Sequence, residues 1–235
     1  PMAQLDRVIA SMALAARDQQ VPIVTGDTKV VERGKGDGLF INTAGIGAVE
    51  SATQIGPEQV HPGDAVIISG DIGRHGVAIM AEREGLEFET QVISDCAPLA
   101  APVLALLAAG VQVHCLRDLT RGGLASALVE IAERAHMTVQ LEERRIPVCE
   151  QVRGVCEILG LDPLYVANEG RFVALLPGAQ APLALEVLQA HPDSAGAALI
   201  GTVGEPGAGR VVLGSAIGGQ RLIDRLSGEQ LPRIC

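Results

Sequence analysis

Tryptophan is absent, and aromatic residues make up only 2% of the 235-residue chain, with one Tyr and three Phe. That scarcity excludes the stacking platforms on which single strands and RNA loops are read. Positive charge is also short. Eighteen Lys and Arg against 28 Asp and Glu give a net charge of −10, and the basic residues form no cluster. Such a chain is a poor binder of nucleic acid or of an anionic membrane surface. Long apolar runs are missing too. The longest uncharged stretch, Cys96 to Leu116, is broken by Pro98, Pro102 and Gly110, and reads as a buried helix followed by a strand rather than a membrane span. The start, Pro1 to Arg7, lacks the basic-then-apolar order of a secretory leader. The five cysteines (96, 115, 149, 156 and 235) have irregular spacings that match no zinc ribbon. Reduced thiols and a cytoplasmic location are expected.

What is present is a globular composition, 48% hydrophobic and 20% charged. Disorder is excluded, and the length favours one large domain or two small ones. Leu5, Val8, Ile9, Met12 and Ala15 recur at helical spacing, so an amphipathic helix is expected over residues 4–19. Short strands are expected at 21–24, 28–33 and 39–49, and a domain boundary at the turn His61-Pro62-Gly63-Asp64. Beyond it, strands (65–69, 111–115, 137–142, 171–176, 197–203, 210–213) alternate with helices (74–84, 97–109, 121–135, 148–159, 179–190). That alternation argues a layered α/β domain. The division reads as 1–63, 64–227 and a tail, 228–235, without periodicity and expected to be mobile.

Five features could carry chemistry. Gly26-Asp27-Thr28-Lys29 offers a tight turn beside a carboxylate suited to magnesium and a Lys suited to phosphate charge or proton movement, although a plain hairpin turn is the commoner meaning. Ser69-Gly70-Asp71-Ile72-Gly73-Arg74-His75-Gly76 puts glycines between a buried strand and a helix, an anion-friendly place without the ending of a Walker A loop. Arg117-Asp118-Leu119-Thr120-Arg121-Gly122-Gly123 opens a helix that Asp118 or Thr120 could cap, yet is denser in Arg, Asp and Gly than a cap needs. Asn168-Glu169-Gly170 places a carboxylate at a strand edge, either an ordinary loop acid or a base. Cys235 ends the chain on an eight-residue arm with a reach of roughly 25 Å, either by chance or as a carrier thiol. Cys96, at an expected helix start, reads as a small packed residue.

Taken in order, GDTKVV (26–31), SGDIGRHG (69–76), RDLTRGGLA (117–125), ANEGRF (167–172) and the terminal PRIC (232–235) resemble the HypE family of hydrogenase maturation proteins. That family belongs to the superfamily of aminoimidazole ribonucleotide synthetase and selenophosphate synthetase. The resemblance implies a PurM-like two-domain fold: part of a mixed-sheet ATP-binding domain, then a complete αβ domain with a mobile tail. It implies ATP-dependent dehydration of an S-carboxamide on Cys235 to an S-cyanide, the source of cyanide ligands for the iron of [NiFe]-hydrogenase. HypF would supply the carbamoyl group, a HypC–HypD complex would receive the cyanide, and the protein would form a homodimer. Carried over by position, Asp27 looks like a magnesium ligand. Lys29 and Glu169 look like the pair that deprotonates the carboxamide. Thr28, Asp71, His75, Arg117, Asp118, Thr120 and Arg121 match motifs that line the ATP and phosphate cleft. Family members carry a further N-terminal stretch before the first helix seen here, so a truncated form is expected. The alternatives are a ligase or phosphotransferase of the same fold, which would not need Cys235, and a non-enzymatic carrier that only presents it.

Overall fold

The computed structural model describes residues 2–36, 38–49, 54–85 and 92–225. The chain divides into two units, Pro1–Ala52 and Thr53–Cys235.

The first unit holds α1 (Met2–Asp18), none of whose residues is buried. The strands expected at 21–24, 28–33 and 39–49 do not form: among its described residues this unit has no strand. A strand exists through its ladder, and extended segments without paired neighbours are marginal in water. Their apolar side chains, including Val24, Val30, Phe40 and Ile46, are exposed.

In the second unit the elements are β1 (Asp64–Ile68), α2 (Arg74–Glu84), α3 (Ala100–Ala108), β2 (Cys115–Asp118), α4 (Gly123–Ala135), β3 (Met137–Glu142), α5 (Glu150–Leu159), β4 (Phe172–Pro177), α6 (Ala181–Gln189), β5 (Ala198–Pro206), β6 (Val211–Gly214) and β7 (Gln220–Ile223). The strands form one seven-stranded mixed sheet in the order β2-β4-β1-β5-β3-β6-β7. Among the described residues only the β3–β6 pairing is parallel.

After Asp64, strands β1 and β4 are apolar because both faces are covered. Val66, Ile68, Val173 and Leu175 pack with Leu124, Leu128 and Ile131 of α4, which recur at one-turn spacing. Ile67, Ala174 and Leu176 pack on the opposite face with Leu106 of α3 and Leu188 of α6. Burying each such Leu or Ile contributes roughly 1.5–3 kcal/mol. A third cluster joins α2 to α5 through Val77, Met80, Val152 and Val155. Among the described residues no helix is long and apolar enough to cross a membrane.

Several boundaries differ from those expected, and three departures have a local cause. α3 begins at Ala100 rather than 97, because Pro98 disfavours helical backbone at the residue before it. The strand expected at 111–115 pairs instead over Cys115–Asp118. Before it, the Gln112 N–H is taken by the Gln180 side chain, 2.8 Å away, rather than by a ladder. β7 was not expected, since Gly218-Gly219 reads as a loosened end. Both glycines adopt φ near +94° and turn the chain back from β6 into a hairpin.

Candidate functional site

β1 and β2 both run antiparallel to β4, with Ile68 opposite Val173 and Asp118 opposite Phe172. The C-terminal ends of β1 and β2 therefore flank the N-terminal end of β4. Loops 69–73, 119–122 and 167–171 leave the sheet together, and three of the sequence motifs lie on them.

Asn168 ties these loops to one another. It is fully buried, its Oδ1 accepts the Gly73 N–H at 2.7 Å, and its Nδ2 donates to the Leu119 and Val166 carbonyls, both at 3.0 Å. Two glycines permit the close approach. A Cβ on Gly170 would lie 1.9 Å from the Asp95 carbonyl oxygen. One on Gly123, at φ +60°, would lie 2.5 Å from that of Leu164.

Glu169 follows Asn168, and its backbone N–H donates to Asp95 Oδ1 at 2.9 Å. Glu169 Oε1 is buried without a hydrogen-bond partner among the described residues, as is Asp95 Oδ2. Burial pushes the Asp95 carboxyl above its usual range, against the opposing pull of the Glu169 N–H, Arg171 and His75. Next to Asp95, Ser94 Oγ lies 2.9 Å from His75 Nδ1 and accepts the Cys96 N–H at 3.1 Å. Cys96 itself is exposed and precedes α3 by several residues, so it is neither packed nor at a helix start.

Arg171 holds the β1 loop to the β4 loop. Its Nη2 donates to Asp71 Oδ1 and its Nε to the Asp71 carbonyl, both at 2.9 Å. It also donates to the Gly170 carbonyl at 2.9 Å. Arg74 contacts the other oxygen of the Asp71 carboxylate. Burial alone would raise the Asp71 pKa, but hydrogen bonds from Arg171 and Arg74 outweigh it and hold the carboxyl below its usual range.

The third loop is more open. Arg117 contacts Asp118 and reaches Glu130 at 3.2 Å, while Thr120 Oγ1 donates to Asp118 Oδ2 at 3.3 Å. Neither Asp118 nor Thr120 caps α4. Its N-cap is Gly122, in the left-handed conformation, with no side-chain hydrogen bond. Arg121 is exposed and pairs with no described residue.

Asp27, Thr28 and Lys29 belong to the first unit and are exposed there, with Asp27 Oδ1 accepting the Thr28 N–H at 2.8 Å. Cys235 and the rest of the tail lie outside the described residues. Among the described residues no three His, Cys, Asp or Glu side chains gather as a metal site. Magnesium fits this donor set only in its commonest manner, on one carboxylate such as Asp27 together with phosphate oxygens and water. A phosphate chain fits α4, whose uncapped start lies beside the unpaired Arg121.

Residues 61–214, which contain all three loops, match the family model described as AIR synthase related protein, C-terminal domain. The whole chain is 52% identical to the carbamoyl dehydratase HypE of Azotobacter vinelandii, over 100% of this chain and 69% of that protein. The chain belongs to the HypE family. It superposes on the crystal structure of a hydrogenase maturation protein HypE in complex with ATP with a TM-score of 0.94, at 47% identity, covering all of this chain and 71% of that one. Against the crystal structure of a HypE–HypF complex the TM-score is 0.91 at 40% identity, covering 96% and 73%.

The residues that position the HypE motifs do not stand out in the sequence. Asp95 and Ser94 sit beside Cys96, and Arg171 and Asn168 flank Glu169. The one local signal was their polarity within apolar flanks, since a buried polar side chain must find partners.

Proposed function

We propose that this HypE-family chain carries out ATP-dependent dehydration of a carboxamide held on the Cys235 sulfur, giving an S-cyanide. The observation that carries this reading is Glu169: a carboxylate oxygen buried without a partner on a loop pinned by Asn168 and Asp95. That is how a proton acceptor would be presented, in a chain half identical to a named carbamoyl dehydratase.

An amide oxygen is a poor leaving group. In the proposed reaction it takes the γ-phosphoryl group of ATP, the nitrogen loses its two protons, and the oxygen departs with phosphate. S–C≡N, ADP and phosphate result. Lys29 and Glu169 take up the proton-transfer roles at nitrogen. Cys235 on its tail is the carrier. Thr28, Asp71, His75, Arg117, Asp118, Thr120 and Arg121 are assigned to the nucleotide cleft, with Arg117 and Arg121 supplying charge toward phosphate and Asp71 fixing the β1 loop through Arg171. Magnesium on Asp27, when bound, would neutralise phosphate charge.

The functional division that goes with this reading is 1–63 for the ATP-binding part, 64–227 for the αβ domain and 228–235 for the carrier tail. HypF is the proposed carbamoyl donor, by likeness to the HypE–HypF complex. A HypC–HypD complex is the proposed acceptor of the cyanide, and the whole protein is proposed to be a homodimer that works in the cytoplasm. The test is intact-mass analysis of full-length protein incubated with HypF, carbamoyl phosphate and ATP. A carbamoyl adduct that then loses water supports the reading, and an adduct stable to ATP contradicts it.

A further inference from the structure

Among the described residues, two buried side-chain oxygens have no hydrogen-bond partner, Asp95 Oδ2 and Glu169 Oε1. Their residues are bonded to each other, because the Glu169 N–H donates to Asp95 Oδ1. Asp95 is only 6% exposed. A buried acceptor left without a donor is costly, and more so when ionised. Folded proteins keep few such groups. Two on directly bonded neighbours point to donors that arrive with a ligand.

We propose that Asp95 Oδ2 and Glu169 Oε1 form a two-acceptor subsite for the NH2 group of a primary amide. The inference rests on the reading of Glu169 given above and adds Asp95 as the group that receives the second N–H. A primary amide nitrogen offers two donors in one plane, whereas a secondary amide offers one and an ester none. In the reaction, Glu169 takes the first proton as the C=N bond forms and the oxygen receives the phosphoryl group. Asp95 holds the remaining N–H, whose proton leaves with phosphate as the C–O bond breaks. Gly170 lets the backbone after Glu169 lie against that of Asp95, since a Cβ there would strike the backbone of Asp95 and Ala97.

The deciding variant is Asp95→Asn in full-length protein carbamoylated on Cys235. Asn keeps an oxygen for the Glu169 N–H and puts an NH2 group where Oδ2 stood, so the substrate amide would face a donor. Dehydration in a single turnover, read by intact mass, should slow roughly 10- to 100-fold, as expected for one lost charged hydrogen bond. The ATP concentration giving half-maximal rate and the Tm should stay close to wild type. A purely structural role would instead lower Tm and leave the step intact. A wild-type rate in Asp95→Asn, with conversion blocked in Glu169→Gln, overturns this subsite and leaves the base reading standing. A wild-type rate in Glu169→Gln overturns the base reading itself. A second measurement needs no variant: with a 15N-labelled carboxamide on Cys235 and a non-hydrolysable ATP analogue, both amide protons should resist exchange. Free exchange of both overturns the subsite.

Discussion

The Asp71 carboxylate and the Arg171 guanidinium meet at 2.9 Å across 100 residues of sequence and lock the loop after β1 to the loop before β4. Because the pair is largely buried, it is a point where stability and pH are linked.

The Asp71 carboxyl is held below its ordinary value of 3.8. A depressed folded-state pKa gives stability that is present above the unfolded value and lost as pH falls through the folded one. Asp71→Asn is expected to lower unfolding free energy by about 1.5–3 kcal/mol near neutral pH, the worth of a hydrogen bond to a charged group. The difference from wild type should shrink as pH drops below 3.8. Urea unfolding across pH checks this, and a pH-independent difference would contradict it.

Asn168→Ala should orphan the Gly73 N–H and the Val166 carbonyl in a buried site, and take one of two hydrogen bonds from the Leu119 carbonyl, which keeps the backbone N–H of residue 168. A loss of about 2–3 kcal/mol is expected. Catalytic loss should accompany it, because Glu169 and the start of α2 share that anchor. Thermal unfolding and single-turnover dehydration measured together test both halves.

Thiol reactivity should follow burial. Burial pushes Cys115 and Cys156 up to about 11, so only about one molecule in a thousand carries a thiolate at pH 8. Cys96 is exposed. Iodoacetamide at pH 8 should label Cys96 quickly, and Cys115 and Cys156 only after denaturation, as read by peptide mass. Rapid labelling of Cys115 in the folded protein would contradict the buried β2 position.

How legible was this molecule before its structure? The apolar runs at 65–69 and 171–176 announced β1 and β4 because both faces of these strands are buried, and α4 was visible in the spacing of Leu124, Leu128 and Ile131. The segment 21–49 has equally strand-like composition, but composition cannot supply a pairing partner, and no ladder forms there among the described residues. Glu169, the proposed base, stands out in the sequence because ANEGRF is contiguous. Asp95 lies 74 residues before Glu169, and Arg171 lies 100 after Asp71. Only the antiparallel placement of β1 and β2 beside β4 brings such partners together, and no local pattern encodes it.

The most direct test of Glu169 as proton acceptor is time-resolved intact mass on full-length Glu169→Gln protein, carbamoylated on Cys235 and then given ATP and magnesium. The carboxamide is predicted to persist while wild type loses water within the same period. Loss of water from the variant at the wild-type rate would contradict the account.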